Sequence, residues 1–271
     1  MGLRERRIEI KTPDQIHLMR RAGIVVAETL EMLRSAVAPG VTTLELDTIA
    51  EEHIRSRGAV PNFLGYHGFP ASICTSVNDE VVHGIPGRRI LQEGDLISLD
   101  CGAIVEGWHG DAAITVAVGE VGLEMLELVG VCQESLWRGL AAASLGGRVS
   151  DISHAIGSYV SSQGSYGVVE DYVGHGIGSA MHMPPSVPNY GRPGKGPKLV
   201  PGMALAVEPM ITMGSIDTHV LDDDWTVATD DGTWAAHFEH SFTLTPEGTL
   251  VLTALDGGAA KLAELGIPCA A

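Results

Sequence analysis

The chain has 271 residues, of which 45% are hydrophobic, and its formal net charge at pH 7 is −17. A chain of this length can bury a large core in one domain, or at most two. The acid excess argues against direct recognition of nucleic acid, whose phosphates are contacted by Lys and Arg. No apolar run approaches the ~18 residues of a transmembrane helix.

The ends of the chain and its cysteines favour a cytoplasmic protein. The first eleven residues carry charges where an export signal needs an apolar stretch, so we expect no export. The four cysteines form no C-x-x-C pair and suit a reducing compartment. The basic residues near the N-terminus are more typical of a solvated tail than of a docking patch. The second interpretation, a docking patch that contacts the ribosome, stays open.

Two helices and then several strands are predicted in the first half. Thr12 and Thr42 each precede a Gln or Glu by three residues, which is the capping-box pattern of a helix start. Apolar residues then recur at helical spacing, so helices are predicted over residues 12–38 and 42–57. Strands are predicted over 73–77, 96–104 and 112–118, with a hairpin turn at 107–110.

The second half repeats this order. Helices are predicted over 122–144 and, capped by Ser150, to about 161; strands are predicted over 167–173, 204–212, 225–229 and 236–244. A proline-rich loop follows His182 and is stiff for its length. The repeat predicts a single α/β domain over residues 1–255, with pseudo-twofold-related halves at about 12–118 and 122–252. Residues 256–271 are expected to form a tail with a peripheral helix.

The two halves carry matching acids and histidines. In each, a glycine is followed six residues later by a carboxylate that ends an apolar strand, and a further acid heads the next β-rich run. Each half also has a His-Gly-Ile turn. The residues are Gly94, Asp100, Asp111 and His83 in the first half, and Gly202, Glu208, Glu239 and His175 in the second. Symmetry would bring the acids together, where they repel one another unless a cation lies between them.

A metal centre is therefore predicted. The candidate ligands are Asp100, Asp111, His175, Glu208 and Glu239. Oxygen ligands with one imidazole suit Mn, Fe, Co or Zn, and bridging carboxylates allow two divalent ions. An acid such as Asp111, taken alone, is more often a turn or N-cap residue. The pattern as a whole carries the prediction, and it does not by itself distinguish a ligand His175 from a non-ligand His83.

These motifs resemble the type I methionine aminopeptidases in their short bacterial form. The similarity covers roughly residues 10–252 and rests on the segments 82–86, 98–102, 110–111, 174–178, 181–182, 207–210 and 238–240. The resemblance implies the pita-bread fold, an α/β (α+β) arrangement with a central antiparallel sheet covered by helices. It also implies removal of the N-terminal methionine from nascent proteins, with a preference for small second residues, by a cytoplasmic monomer.

The resemblance assigns roles to the polar residues. Asp100 would chelate one metal, Asp111 and Glu239 would bridge both, and His175 and Glu208 would complete the other. Glu208 would also relay the proton. His83 and His182 would bind the scissile peptide and stabilise charge in the transition state.

The resemblance also implies an apolar pocket for the methionine side chain. Its lining residues would be Phe63, Tyr66, Phe69, Cys74, Met181 and Trp225. Any of these residues, taken singly, is more often a core residue. Phe69 stands where many members have Tyr, Met181 where many have Phe, and Phe63 where bacterial members often have Cys. These changes keep the pocket apolar but alter its depth. His67 lies either at the pocket mouth or on the surface.

Two alternatives remain. An aminopeptidase P or prolidase would share the fold, but those enzymes usually carry an additional N-terminal domain. An inactive relative acting as a binding module would typically lack metal ligands, whereas all five are present here.

Overall fold

A computed structural model describes residues 8–270. The hypothesis of ribosome contact depends on an N-terminal basic cluster, which comprises Arg4, Arg6, Arg7, Lys11, Arg20 and Arg21. The first three of these residues lie outside the described residues. The helices are α1 (Pro13–Ala36), α2 (Thr43–Ser56), α3 (Leu123–Ala142), α4 (Val149–Gln163) and α5 (Ala259–Glu264), with a short 3-10 helix at Tyr66–Gly68. Within the described part of the chain, no helix has the length and apolarity needed to cross a membrane.

The helix starts follow the predicted capping chemistry in two cases out of three. The backbone N–H of Thr12 donates to the Gln15 side chain at 2.9 Å, and that of Thr42 to Glu45 at 2.7 Å. The prediction that Ser150 caps α4 is wrong. Arg148 is the N-cap, since its N–H donates to the Asp151 carboxylate at 2.7 Å. The helix begins at the next residue, Val149, so Ser150 lies in its first turn.

Fifteen strands lie within residues 8–270. They are β1 (Val60–Pro61), β2 (Ile73–Val77), β3 (Glu80–Val82), β4 (Leu96–Val105), β5 (Trp108–Ala117), β6 (Gly167–Val168), β7 (Gly174–Gly176), β8 (Met183–Val187), β9 (Ala204–Val207), β10 (Met210–Thr212), β11 (Thr218–Val220), β12 (Val227–Thr229), β13 (Ala235–His237), β14 (Glu239–Thr245) and β15 (Gly248–Val251).

Both halves contribute to one antiparallel sheet. Its order is β1-β4-β5-β14-β9-β7-β8, with β2 added beside β4 and β15 beside β14. The pairing of β5 with β14 joins the strands of the first half to those of the second. Helix α1 packs on β4 and β5, while α3 and α4 pack on each other. Two smaller sheets, β13-β10-β6 and β11-β12-β3, flank the main one.

Several predicted strand limits are wrong. The hairpin turns at Glu106 and Gly107, whose φ angles are 50° and 83°, so Trp108 already begins β5. The strand predicted over 204–212 breaks at Glu208 and Pro209, since proline has no N–H to continue a ladder. The strand predicted over 236–244 breaks at Phe238. Those predicted over 167–173 and 225–229 are shorter in the structure.

The tail after residue 255 forms α5, as predicted. Leu262 is fully buried, and the Lys261 ammonium lies 3.1 Å from the Glu134 carboxylate on α3. These contacts attach the tail to the second half. The proposed domain limits themselves remain a prediction.

Candidate metal centre

All thirteen residues singled out from the sequence line one cavity of about 340 Å³. They are Phe63, Tyr66, Phe69, Cys74, His83, Asp100, Asp111, His175, Met181, His182, Glu208, Trp225 and Glu239. Five further residues line it as well: His67, Val82, Tyr172, Val173 and Met210. His67 therefore lies at the cavity, the first of the two interpretations left open for it.

The sheet register explains why the acids converge. Ala113 on β5 is paired with Asp100 on one side and with Glu239 on the other. Asp111 precedes Ala113 by two residues on the same strand, so its side chain points to the same face. The backbone of Asp111 is fixed by Ser241, whose hydroxyl donates to the Asp111 carbonyl at 2.8 Å. Three carboxylates from three adjacent strands thus share one face.

Asp100 and Glu208 are predicted to end a strand, and Asp111 and Glu239 to head one; each prediction is correct only for the acid of the second half. Glu208 follows directly after β9, and Glu239 is the first residue of β14. Asp100 and Asp111 lie within β4 and β5, because these ten-residue strands run past the acids to the hairpin turn. The second His-Gly-Ile segment is not a turn either, since Gly174–Gly176 forms β7.

Burial makes the acid cluster electrostatically costly without a cation. The side chains of Asp111 and Glu239 are each 3% exposed. Burial raises the pKa of Asp100 to about 7. It raises the pKa of Asp111, Glu208 and Glu239 well above the usual range, and the neighbouring carboxylates raise it further.

Several donor atoms in the cluster have no internal partner. Asp100 Oδ1, Asp111 Oδ1 and Glu239 Oε1 are buried and find no hydrogen-bond donor among the described residues. Buried carboxylate oxygens are normally hydrogen-bonded or bound to a metal. The donor set of the centre therefore fits divalent cations.

The side-chain geometry places two groups of ligand atoms around a shared residue. Ligand atoms of Asp111, His175 and Glu239 lie within 4.8 Å of one another, and so do those of Glu208, His237 and Glu239. Glu239 belongs to both groups, as a bridging ligand would. Asp100 belongs to neither group at this spacing.

His175 is in the state that a metal ligand requires. Its Nδ1 lies 3.0 Å from the Gly176 carbonyl, and its Nε2 lies 3.6 Å from Glu208 Oε1. Burial, followed by the charge of His182, lowers the pKa of His175 to about 3, so the ring is neutral. With Nδ1–H donating to the carbonyl, the Nε2 lone pair faces the acids.

His83 differs from its counterpart in the repeat. It has a φ of 62°, packs edge-on against Tyr172 with ring centroids 5.6 Å apart, and joins neither ligand group. Both histidines are followed by a glycine for a steric reason. A Cβ at Gly84 would collide with the Thr75 carbonyl, and one at Gly176 with the Pro184 carbonyl. The shared tripeptide thus reflects close backbone contact rather than a shared role.

The apolar part of the cavity is a cluster of its own. Phe63, Phe69, Cys74 and Met181 are buried in it, with Trp225 packed against them. The Phe69 and Trp225 rings meet edge-on at 5.1 Å. Burial raises the pKa of the Cys74 thiol far above its usual value, so it is a neutral, apolar lining group.

The sequence analysis missed His237. It is 1% exposed, and its Nε2 lies 3.8 Å from Glu208 Oε2. Burial lowers its pKa to about 3, which keeps it neutral. The available signal was its position two residues before Glu239, since residues two apart in extended chain face the same side.

Comparisons with known proteins give matches over most of the chain. Residues 17–246 match the model of metallopeptidase family M24. The chain is 55% identical over 247 residues to a methionine aminopeptidase of Clostridium acetobutylicum, which covers 91% of this chain and 98% of that protein. It is 50% identical over 258 residues to methionine aminopeptidase 1 of Mycobacterium tuberculosis, covering 93% and 97%.

Solved structures show the same similarity in three dimensions. The methionine aminopeptidase of Rickettsia prowazekii superposes with a TM-score of 0.89 at 41% identity, covering 92% of this chain and 100% of that one. The Xaa-Pro dipeptidase of Bacillus anthracis gives a TM-score of 0.72 at 25% identity and covers 90% of this chain, but only 61% of that one. Both structures share the fold of this chain, but the chain spans the whole length of the first and only part of the second.

Proposed function

We propose a dinuclear, co-translational mechanism for this chain. The chain belongs to metallopeptidase family M24 and, within it, to the type I methionine aminopeptidases of pita-bread fold. Removal of an N-terminal methionine is the activity of this group. The observation that carries the proposal is the position of five metal-binding side chains beside an apolar cavity. The acids would then face the backbone carbonyl of the N-terminal methionine, and the pocket would face its side chain.

Two divalent ions fit the donor set. In the proposed assignment Asp100 would hold one ion, His175 and Glu208 would hold the other, and Asp111 and Glu239 would be ligands of both. The unpartnered oxygens of Asp100, Asp111 and Glu239 support it. Bound ions of this kind supply an activated water and polarise a carbonyl. The oxygen-rich set accepts Mn, Fe, Co or Zn.

The protein's own groups bind the substrate and move the proton. The buried cluster of Phe63, Phe69, Cys74, Met181 and Trp225 takes the methionine side chain, whose thioether suits aromatic and sulfur neighbours. Glu208, which lines the cavity beside the other acids, would carry the proton from the nucleophilic water to the leaving amine. His83 and His182 contact the scissile peptide and stabilise the developing charge.

A small second residue is preferred in this proposal. The Tyr66 ring meets His67 at 4.4 Å and His182 at 5.4 Å, which crowds the cavity beside the proposed scissile bond. The proposed substrates are nascent polypeptide N-termini, and the proposed setting is the cytoplasm, with the chain as a monomer.

The alternatives are less well supported. The chain spans only 61% of the Bacillus anthracis Xaa-Pro dipeptidase, whereas it spans 98% of the Clostridium acetobutylicum methionine aminopeptidase. An inactive binding module is disfavoured because all five ligand residues line the cavity.

The test combines metal content with peptide preference. The protein is freed of metal, reloaded separately with Mn, Fe, Co or Zn, and given a peptide library that varies the first two residues. We expect about two ions per chain, cleavage after Met, and fastest cleavage before Ala, Gly or Ser. Faster cleavage of Ala-Pro-Ser than of Met-Ala-Ser would contradict the proposal, as would full activity of metal-free Asp111→Ala protein.

A further inference from the structure

A second concavity, of about 1120 Å³, adjoins the cavity of the metal centre. His175 and His182 line both, so the two spaces meet at the proposed site of peptide cleavage. We propose that this groove holds the segment of the polypeptide substrate that follows the cleaved bond, an inference that rests on the proposed function. Its other walls are formed by Ile8, Ile10, Met183, Pro184, Pro185, Ser186, Pro197, Lys198 and Met203.

One wall is a fixed piece of chain before α1. The N–H of Lys11 donates to the Gly202 carbonyl at 2.8 Å, and Ile10 pairs with Met203. Glu9 accepts a hydrogen bond from the backbone of Ser179 at 3.2 Å. Although its backbone is held in place, the Ile10 side chain is 49% exposed. Ile10 lines the groove together with the apolar side chains of Ile8 and Met183, and an apolar surface shared by several residues is a feature of binding sites.

The opposite wall is the sheet edge. β8 is the last strand of the main sheet, and an edge strand normally offers free backbone groups to another chain. Pro184 and Pro185 have no N–H, so a bound peptide cannot form a continuous ladder along β8. Contact there depends on apolar surface rather than on register. Such contact tolerates many sequences, as an enzyme acting on many protein N-termini requires.

The charge at the groove differs from that of the rest of the chain. The chain has 34 acidic and 17 basic residues, yet residues 172–207 contain Arg192, Lys195 and Lys198 and no Asp or Glu. Lys198 lines the groove, whereas Lys195 does not. Acidic residues a few positions after the cleaved bond are therefore favoured.

The test compares peptide lengths and charges with the metal-loaded full-length enzyme. The peptides are Met-Ala-Ser, Met-Ala-Ser-Glu-Ala-Glu-Ala and its counterpart with Lys in place of both Glu. We expect kcat/KM for the acidic heptapeptide to exceed that of the other two by about two- to fivefold, the range of exposed charge pairs. Lys198→Glu should reverse the order of the two heptapeptides. Lys195→Glu, a matched charge reversal outside the groove, should keep it.

Other outcomes separate the groove from the underlying activity. Equal kcat/KM for the tripeptide and both heptapeptides in the wild type would overturn the proposal that the groove binds the downstream segment. Equal effects of Lys198→Glu and Lys195→Glu would overturn it as well. Failure to cleave Met-Ala-Ser at all would instead contradict the proposed function. For the apolar wall, Ile10→Ser should raise KM for the acidic heptapeptide more than for the tripeptide, and equal changes would count against this wall.

Discussion

The hydroxyl of Tyr66 lies 2.8 Å from Nδ1 of His182. When the hydroxyl donates, Nδ1 accepts and the proton of the neutral imidazole sits on Nε2. The rings of His182 and His175 are also close, with centroids 4.3 Å apart. Burial and the nearby His67 lower the pKa of His182, which favours the neutral ring. Tyr66 thus orients a histidine next to the proposed metal ligand, and a donating hydroxyl would also set its tautomer.

Replacing Tyr66 by Phe should separate this role from pocket lining. The variant keeps the ring but loses the hydroxyl, so we expect kcat to fall about two- to tenfold, the worth of one hydrogen bond, with little change in KM. Kinetics with Met-Ala-Ser measure both constants. In a His182→Ala background the same change should have almost no further effect, because its partner is gone. Additive losses in the double variant would show that Tyr66 acts independently of His182.

Removing one buried acid should reduce the stabilisation of the fold by added metal ions. Metal-free Asp111→Asn is expected to be at least as stable as the metal-free wild type, because Asp100, Glu208 and Glu239 no longer face a fourth buried acid. At a metal concentration of 100 times Kd the wild type should gain about 2.7 kcal/mol, and the variant much less. Thermal unfolding with chelator and with added Co or Mn measures the shift. Asp230→Asn, at an exposed site, is the control and should retain the full shift.

Widening the apolar cavity should relax selection of the first residue. Phe69 is 3% exposed and packs against Trp225, so Phe69→Leu leaves unfilled space in the proposed methionine pocket. We expect the preference for Met-Ala-Ser over Phe-Ala-Ser to fall about tenfold or more, since small volume changes in such pockets are worth ~1–3 kcal/mol. The ratio of the two kcat/KM values is the readout. Phe242→Leu, in the fully buried core, should lower stability and leave this ratio unchanged.

Local signals predicted the helices better than the strands. The capping boxes at Thr12 and Thr42 depend on residues three positions apart, and the structure retains them. Strand limits depend on distant partners. β5 begins at Trp108 rather than at residue 112 because it pairs with β4 over ten residues, and the alternation that predicts the strand appears only from Ala112. The break at Glu208 was marked by Pro209, but an otherwise apolar run obscured it.

The candidate site was predictable because its residues lie in short motifs. Every proposed ligand and pocket residue lines the same cavity. What could not be predicted from the residues was the difference between His83 and His175, which depends on backbone geometry around an identical tripeptide. His237 escaped notice because its position near Glu208 depends on the fold, in which Glu208 and His237 come from different segments of the chain.

A buried acid outside the metal centre should make stability depend on pH. Asp47 on α2 is 8% exposed, and its Oδ1 accepts the backbone N–H of Ser72 at 2.8 Å and of Ile73 at 3.0 Å. Burial raises the pKa of Asp47 more than these bonds lower it. The folded state therefore prefers the neutral acid. Its stabilising contribution is complete below the unfolded pKa of about 3.9 and is lost as the pH rises through the higher folded pKa.

Asp47→Asn removes this titration while keeping an oxygen that can accept both hydrogen bonds. We expect the variant to be more stable relative to wild type at pH 7 than at pH 4, so that the difference in free energy of unfolding, variant minus wild type, is larger at pH 7. Asp151→Asn should show the opposite trend, because hydrogen bonds from the Arg148 and Gly194 backbones lower the pKa of Asp151. Urea unfolding of metal-free protein at both pH values measures each difference, and contributions from the acid cluster cancel against wild type. The same trend in both variants would contradict the assignment to Asp47, since only a raised pKa gives a penalty that grows with pH.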